Sequence, residues 1–76
     1  MQGEERITSD PEILSGKPII RGTRLAVEFI LEQLAAGATD AELIEDYPHL
    51  TREDILACLA YAAWIVKEFR PVPRTA

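Results

Sequence analysis

One cysteine and one histidine are all that this chain holds of the residues that most often carry zinc or thiol redox chemistry, and its aromatics are few: one Trp, two Tyr and two Phe. A single cysteine excludes an internal disulfide, and the apolar setting Leu56-Ala57-Cys58-Leu59-Ala60 marks Cys58 as a small buried hydrophobe, without the cationic surroundings of a reactive thiol. His49 stands in a turn beside Pro48, with no second histidine or cysteine at ligand spacing, so a zinc site is excluded. Cations are also scarce: eight Lys and Arg against 13 Asp and Glu give a net charge of −5. That balance excludes a sequence-blind nucleic-acid binder, whose affinity comes from cations displacing phosphate counterions. No apolar run is long enough to cross a membrane. The longest uncharged stretch of the helical region, Ile55 to Val66, has twelve residues where a span needs about twenty.

Catalytic patterns are missing as well. Glu45-Asp46 and Glu53-Asp54 are sequence neighbours, which splay around a helix and do not converge on a substrate. Gly16 and Gly22 form neither a Walker loop nor a dinucleotide fingerprint. The expectation is a protein that is not an enzyme and uses no cofactor or metal. Met1-Gln2-Gly3-Glu4-Glu5 is polar and acidic, unlike a secretory signal, so a cytoplasmic location is expected.

What is present is enough for one small domain. A chain of 76 residues buries only about 60% of its unfolded surface, so extra burial from a partner is expected. Charge is polarised. Arg6, Lys17, Arg21 and Arg24 fall in the first third and Lys67, Arg70 and Arg74 at the far end, whereas residues 25 to 66 hold eight carboxylates and one cation, Arg52. Such a distribution suits a protein that touches an anionic partner with its two ends.

Along the chain, Arg6-Ile7-Thr8 and Pro18-Ile19-Ile20-Arg21 read as short β-type runs separated by the turn signals Asp10-Pro11 and Ser15-Gly16. They predict an extended or hairpin-like arm over residues 1–24. Two strands this short are marginal alone and must pack on helices or on a second chain. Thr23 offers an N-cap oxygen to a first helix whose Val27, Ile30, Leu31 and Leu34 share one face and which stops at Gly37. Thr39-Asp40-Ala41-Glu42 is a capping box opening a second helix that buries Ala41, Leu43 and Ile44 and ends before Pro48. Thr51 opens a third, with Glu53 and Asp54 in its first turn. The expected fold is mainly α: a three-helix, homeodomain-like helix-turn-helix domain over residues 25–69 with the β-type arm ahead of it and a flexible tail over 70–76.

The third helix is apolar all round, and two short helices and an arm cannot cover both of its sides. Ile55, Leu59, Ala62 and Val66 are assigned to the domain's own core. Leu56, Tyr61, Trp64 and Ile65, with Ile19 of the arm, are left for the interface of a twofold homodimer. The short-helix, tight-turn, long-helix order also places Thr51 and Arg52 where a recognition helix meets the major groove, with Arg21 and Arg24 available for phosphates. Glu53 and Asp54 oppose that reading, since they would face phosphates.

The words Asp10-Pro11, Gly16-Lys17-Pro18, Arg21-Gly22-Thr23-Arg24, Gly37 and Tyr47-Pro48-His49-Leu50 resemble the small bacterial family catalogued as domain-of-unknown-function 433, over roughly residues 7 to 66. The resemblance implies a helix-turn-helix antitoxin paired with a PIN-like ribonuclease toxin, binding its own promoter DNA. PIN-type nucleases hold divalent cations with clustered carboxylates, so an arginine delivered there competes with metal by charge pairing. Arg70 and Arg74 are the arginines placed to reach a toxin, anchored apolarly by Trp64 and Phe69. The alternatives are a stand-alone dimeric DNA-binding regulator and a protein-interaction module without DNA contact.

Overall fold

The structure, a computed structural model, describes residues 6–69. The expected flexible tail over 70–76 therefore lies outside the described residues, as do residues 1–5. Two strands and three helices follow one another: β1 (Ile7–Ser9), β2 (Pro18–Ile20), α1 (Val27–Ala35), α2 (Asp40–Asp46) and α3 (Arg52–Glu68). The strands pair antiparallel with Ile7 opposite Ile20 and Thr8 opposite Ile19.

Three residues cannot hold a sheet together by themselves, and the arm is held by burial. Ile7 and Ile20 point into a core completed by Val27 and Ile30 of α1, Leu43 of α2, Leu50 of the connecting turn, and Ile55, Ala57 and Cys58 of α3. The arm is thus part of the three-helix core. Between the strands, Leu14, Ser15 and Gly16 form one tight turn with left-handed φ values of 50°, 56° and 84°.

Local chemistry explains most helix ends. Gly37, at φ 102°, closes α1 with Gly37 N–H donating to the Leu34 carbonyl at 3.0 Å and Ala38 N–H to Gln33 at 3.0 Å. The Thr39–Glu42 capping box is formed in both directions, with Glu42 N–H donating to Thr39 Oγ1 at 3.1 Å and Thr39 N–H to Glu42 Oε1 at 2.8 Å. A second box, between Thr51 and Asp54, opens α3.

The expectations fail in four places, each for a tertiary reason. Thr23 does not cap α1. Ile20 N–H donates to the Leu25 carbonyl at 2.9 Å and Ile19 bridges Ala26, so extended pairing carries the chain past Thr23 and Ala26 becomes the N-cap. Ala41 is exposed, because only Leu43 of α2 is fully buried against the core. The inner face of α3 is Asp54, Ile55, Ala57 and Cys58 with Tyr61 beside them, whereas Leu59 and Val66, expected inside, are 45% and 71% exposed. Ile19, expected at a subunit interface, is 2% exposed within the chain and has no surface to offer a partner. It lies beneath the loops around Asp10–Ile13 and Arg21–Arg24.

Candidate functional site

The five residues from Tyr47 to Thr51 join α2 to α3 in the order of a helix-turn-helix. The Tyr47 ring packs edge-on against Phe29 with centroids 5.7 Å apart, and two more of the five are engaged. Leu50 is buried, with its N–H donating to the Tyr47 carbonyl at 2.8 Å, and the Thr51 hydroxyl accepts from Asp54 N–H at 3.1 Å. The cap fixes the start of α3 and takes one acceptor site of the hydroxyl.

Arg52 is exposed, and its Nε donates to Asp40 Oδ2 at 3.3 Å. An exposed pair of this kind is worth at most about 1 kcal/mol, so the guanidinium exchanges readily for another anion. Of the two acidic neighbours that opposed DNA contact, one is withdrawn. Asp54 is buried at 8% exposure, its Oδ1 accepting from Arg6 Nη1 at 3.2 Å and its Oδ2 from Thr51 N–H at 3.1 Å. Glu53 stays on the surface.

Arg21 and Arg24 sit together, both exposed, on the loop from β2 to α1. This loop is built tightly. Thr23 Oγ1 donates to the Ile20 carbonyl at 2.7 Å and accepts from Leu25 N–H at 2.9 Å, and Gly22 takes φ 82° at its tip. One side of the loop borders an open cleft of about 700 Å³ with Ser9, Asp10 and Ile19; the other borders a smaller apolar cleft of about 300 Å³ against Tyr47, Pro48 and His49. The arginine loop therefore adjoins the start of the helix-turn-helix connection. Lys17, the third cation of that segment, is engaged with Glu28 at 2.6 Å, a hydrogen bond that raises the lysine pKa above its ordinary value.

At the far end of α3 the chain exposes large apolar groups. Trp64 is 44% exposed and Phe69 71%, with the Tyr61 and Trp64 rings 6.1 Å apart. Of the residues expected at a dimer interface, Leu56 and Trp64 are exposed, while Ile65 and Tyr61 are half-buried and Tyr61 packs on the core. Arg70 and Arg74 lie outside the described residues. Sequence reasoning missed Leu59 and Val66 as surface residues, and missed Arg6 as the partner of Asp54. Only the Thr51-Arg52-Glu53-Asp54 spacing carried a signal, as an Asp form of the capping box.

Among the described residues no three His, Cys, Asp or Glu side chains gather to hold a metal. Burial, assisted by the charge of Asp54, pushes the Cys58 thiol up to about 11, far from the range of a nucleophile. No helix among the described residues is long and apolar enough to cross a membrane.

The fold recurs in a solved structure, and the sequence in a family. Residues 7–62 match the family described as protein of unknown function (DUF433). Over 58 residues the chain is 40% identical to an uncharacterized protein, y4eO, of Sinorhizobium fredii (strain NBRC 101917 / NGR234), covering 76% of this chain and 26% of that protein. It superposes with a TM-score of 0.78 and 32% identity on the crystal structure, at 2.00 Å resolution, of a DUF433 member protein from Anabaena variabilis ATCC 29413. That match covers 86% of this chain and 64% of the other. The chain spans about a quarter of the length of the first relative and just under two thirds of the second.

Proposed function

This chain belongs to the DUF433 family, and from that membership together with the bare apolar end of α3 we propose that it is an antitoxin. In this reading it is a cytoplasmic, non-catalytic homodimer that binds and inhibits a PIN-like ribonuclease toxin and also binds its own promoter DNA. The observation that carries the reading is the exposure of Trp64 and Phe69 immediately ahead of Arg70 and Arg74. Aromatic side chains with a polar rim are the usual energetic centre of a protein interface, and an arginine is the side chain best shaped to clamp a carboxylate. A toxin whose acidic site accepts that arginine loses its metal-binding charge. The same stretch of sequence contains Pro71 and Pro73, and proline lowers the entropy a segment loses on binding.

The DNA arm is supported by the α2–turn–α3 order and by exposed Arg21, Arg24 and Arg52. Glu53 stays on the surface beside Arg52, and residues 25–66 hold eight carboxylates against that one cation, which favours the reading without DNA contact, a protein-interaction module.

The test is co-expression with the adjacent open reading frame and purification through a tag on this chain alone. A stoichiometric complex with a small acidic-site nuclease, inhibited by this chain and released by the Arg70→Glu/Arg74→Glu variant, is the expected result. A lone dimer moves the assignment to a stand-alone DNA-binding regulator. Full inhibition by the charge-reversed variant removes the role given to the two arginines.

A further inference from the structure

From the exposures along α3 we infer that its outer face pairs with the same face of a second copy, antiparallel, with a defined register. This deepens the dimeric part of the reading above and is independent of its toxin and DNA parts. Leu56 and Leu59 are 46% and 45% exposed, Val66 71%, and Ala63 is exposed between them. Positions 56, 59, 63 and 66 are spaced as the a and d sites of a heptad, so the four side chains form one stripe on the side of α3 away from its buried Asp54, Ala57 and Cys58, with buried Ile55 at its edge. Trp64 lies off this stripe, beside Tyr61. The self-pairing face and the toxin-binding aromatics are thereby separated on the same helix.

The occupant is set by charge and by area. An antiparallel pair that stacks Leu56 on Val66 of the second copy and Leu59 on Ala63 of the second copy brings Ala60 against its own symmetry mate, where two methyl groups let the helices approach closely. The same register sets Glu53 of each copy beside Lys67 of the other, at both ends. These are charged residues flanking the uncharged run from Ile55 to Val66, and they have opposite signs. A parallel pair would set Lys67 beside Ala62 of the other copy and would give neither charge an opposite partner. The face is bare because the rest of the domain packs on the other side of α3, so the two bodies stand on opposite outer sides of the helix pair. Three turns of helix paired in this way bury on the order of 1,000–1,200 Å² in total, at the low end for a specific interface. Interfaces of that size include the weak, reversible ones, and this pair is expected to be among them.

Sedimentation equilibrium of the full chain from about 1 to 500 µM should give a monomer–dimer equilibrium with Kd on the order of 10 µM. Leu59→Glu, at an exposed site, should stay monomeric throughout while keeping its helical circular dichroism. Glu53→Lys and Lys67→Glu should each raise Kd about tenfold, and the double variant should return to within about threefold of the parent. A merely structural role for these charges gives the opposite result, because each change also opposes the helix dipole and the double variant is then the worst of the three. A parent chain that stays monomeric, a double variant as weak as the single ones, or dimerisation that appears only after removal of residues 70–76 would each overturn the inference, the last by assigning the face to that segment. Toxin capture through Trp64 and Phe69 is read separately by co-purification, so either part can fail without the other.

Discussion

Arg6 and Asp54 stand 48 residues apart in the chain, and the guanidinium of the first donates to the carboxylate of the second at 3.2 Å. Through this pair the strand end of the arm is tied to the first turn of α3. The other carboxylate oxygen accepts from Thr51 N–H, so one side chain both caps the helix and fixes its rotation against the arm. Asp54→Ala should cost about 1–3 kcal/mol, the loss of a helix cap and of a charge-assisted hydrogen bond together. Arg6→Ala should cost less, since the arginine side chain is 46% exposed and the cap survives its removal. Urea unfolding of the two variants and the double variant checks this. Single and double losses that add without coupling would contradict a shared network.

The turn between the strands stores strain that a glycine relieves. Ser15 holds φ 56° and ψ 32°, a left-handed conformation that costs an L-residue about 1 kcal/mol or more. Ser15→Gly should therefore stabilise the domain, by about 0.5–1 kcal/mol once the greater freedom of glycine in the unfolded chain is subtracted. The same change at Ser9, in β1, should destabilise it. Thermal or urea midpoints of the two variants decide the point.

Cys58 gives the domain an alkaline limit. Its thiol is fully buried, and its pKa in the folded chain is raised to about 11 by burial and by the neighbouring Asp54 charge. Below the ordinary thiol pKa both folded and unfolded chains keep the proton, and this contribution to stability is fully present. As pH rises from there towards about 11, the unfolded chain ionises first, and the contribution is lost. Unfolding midpoints should fall across that window, and Cys58→Ala should flatten the fall at the cost of a small core void. A thiol reagent at neutral pH should leave the folded chain unlabelled and label it on unfolding.

Signals carried by near neighbours were legible in the sequence, and signals carried by distant ones were not. The bounds of α2 follow from Thr39, Glu42 and Pro48, all within ten residues, and the structure has the helix at Asp40–Asp46. The start of α1 obeys a pairing between Ile19 and Ala26 that no local rule contains, and Thr23 satisfied the capping rule without being used for it. The rotation of α3 was illegible for two reasons. Its run from Ile55 to Val66 has no charged residue to mark a wet side, and the residue that sets its phase, Asp54, is chosen by Arg6 from the other end of the chain. Hence Leu59 and Val66 were placed inside. The exposed arginines of the β2–α1 loop were legible as cations ahead of a helix, but their position beside Tyr47, Pro48 and His49 depends on how that loop folds back.

Arg52 offers a graded test of promoter contact, because its present partner can be removed without touching it. Asp40 Oδ2 accepts from Arg52 Nε at 3.3 Å, and the other oxygen of Asp40 accepts from Ala41 N–H at 2.8 Å. Asp40→Asn keeps an acceptor for the backbone while deleting the charge that competes with phosphate or guanine for the guanidinium. If α3 meets DNA through its first turn, this variant should bind the upstream DNA about threefold more tightly, and Arg52→Ala about tenfold more weakly. The two changes also differ in salt dependence. Arg52→Ala removes a cation from the interface and should lower the slope of log affinity against log salt by about one, whereas Asp40→Asn removes no cation and should raise affinity with the slope held. Titrations at several salt concentrations read both quantities, and equal affinity across the parent and the two variants would take α3 out of the DNA interface.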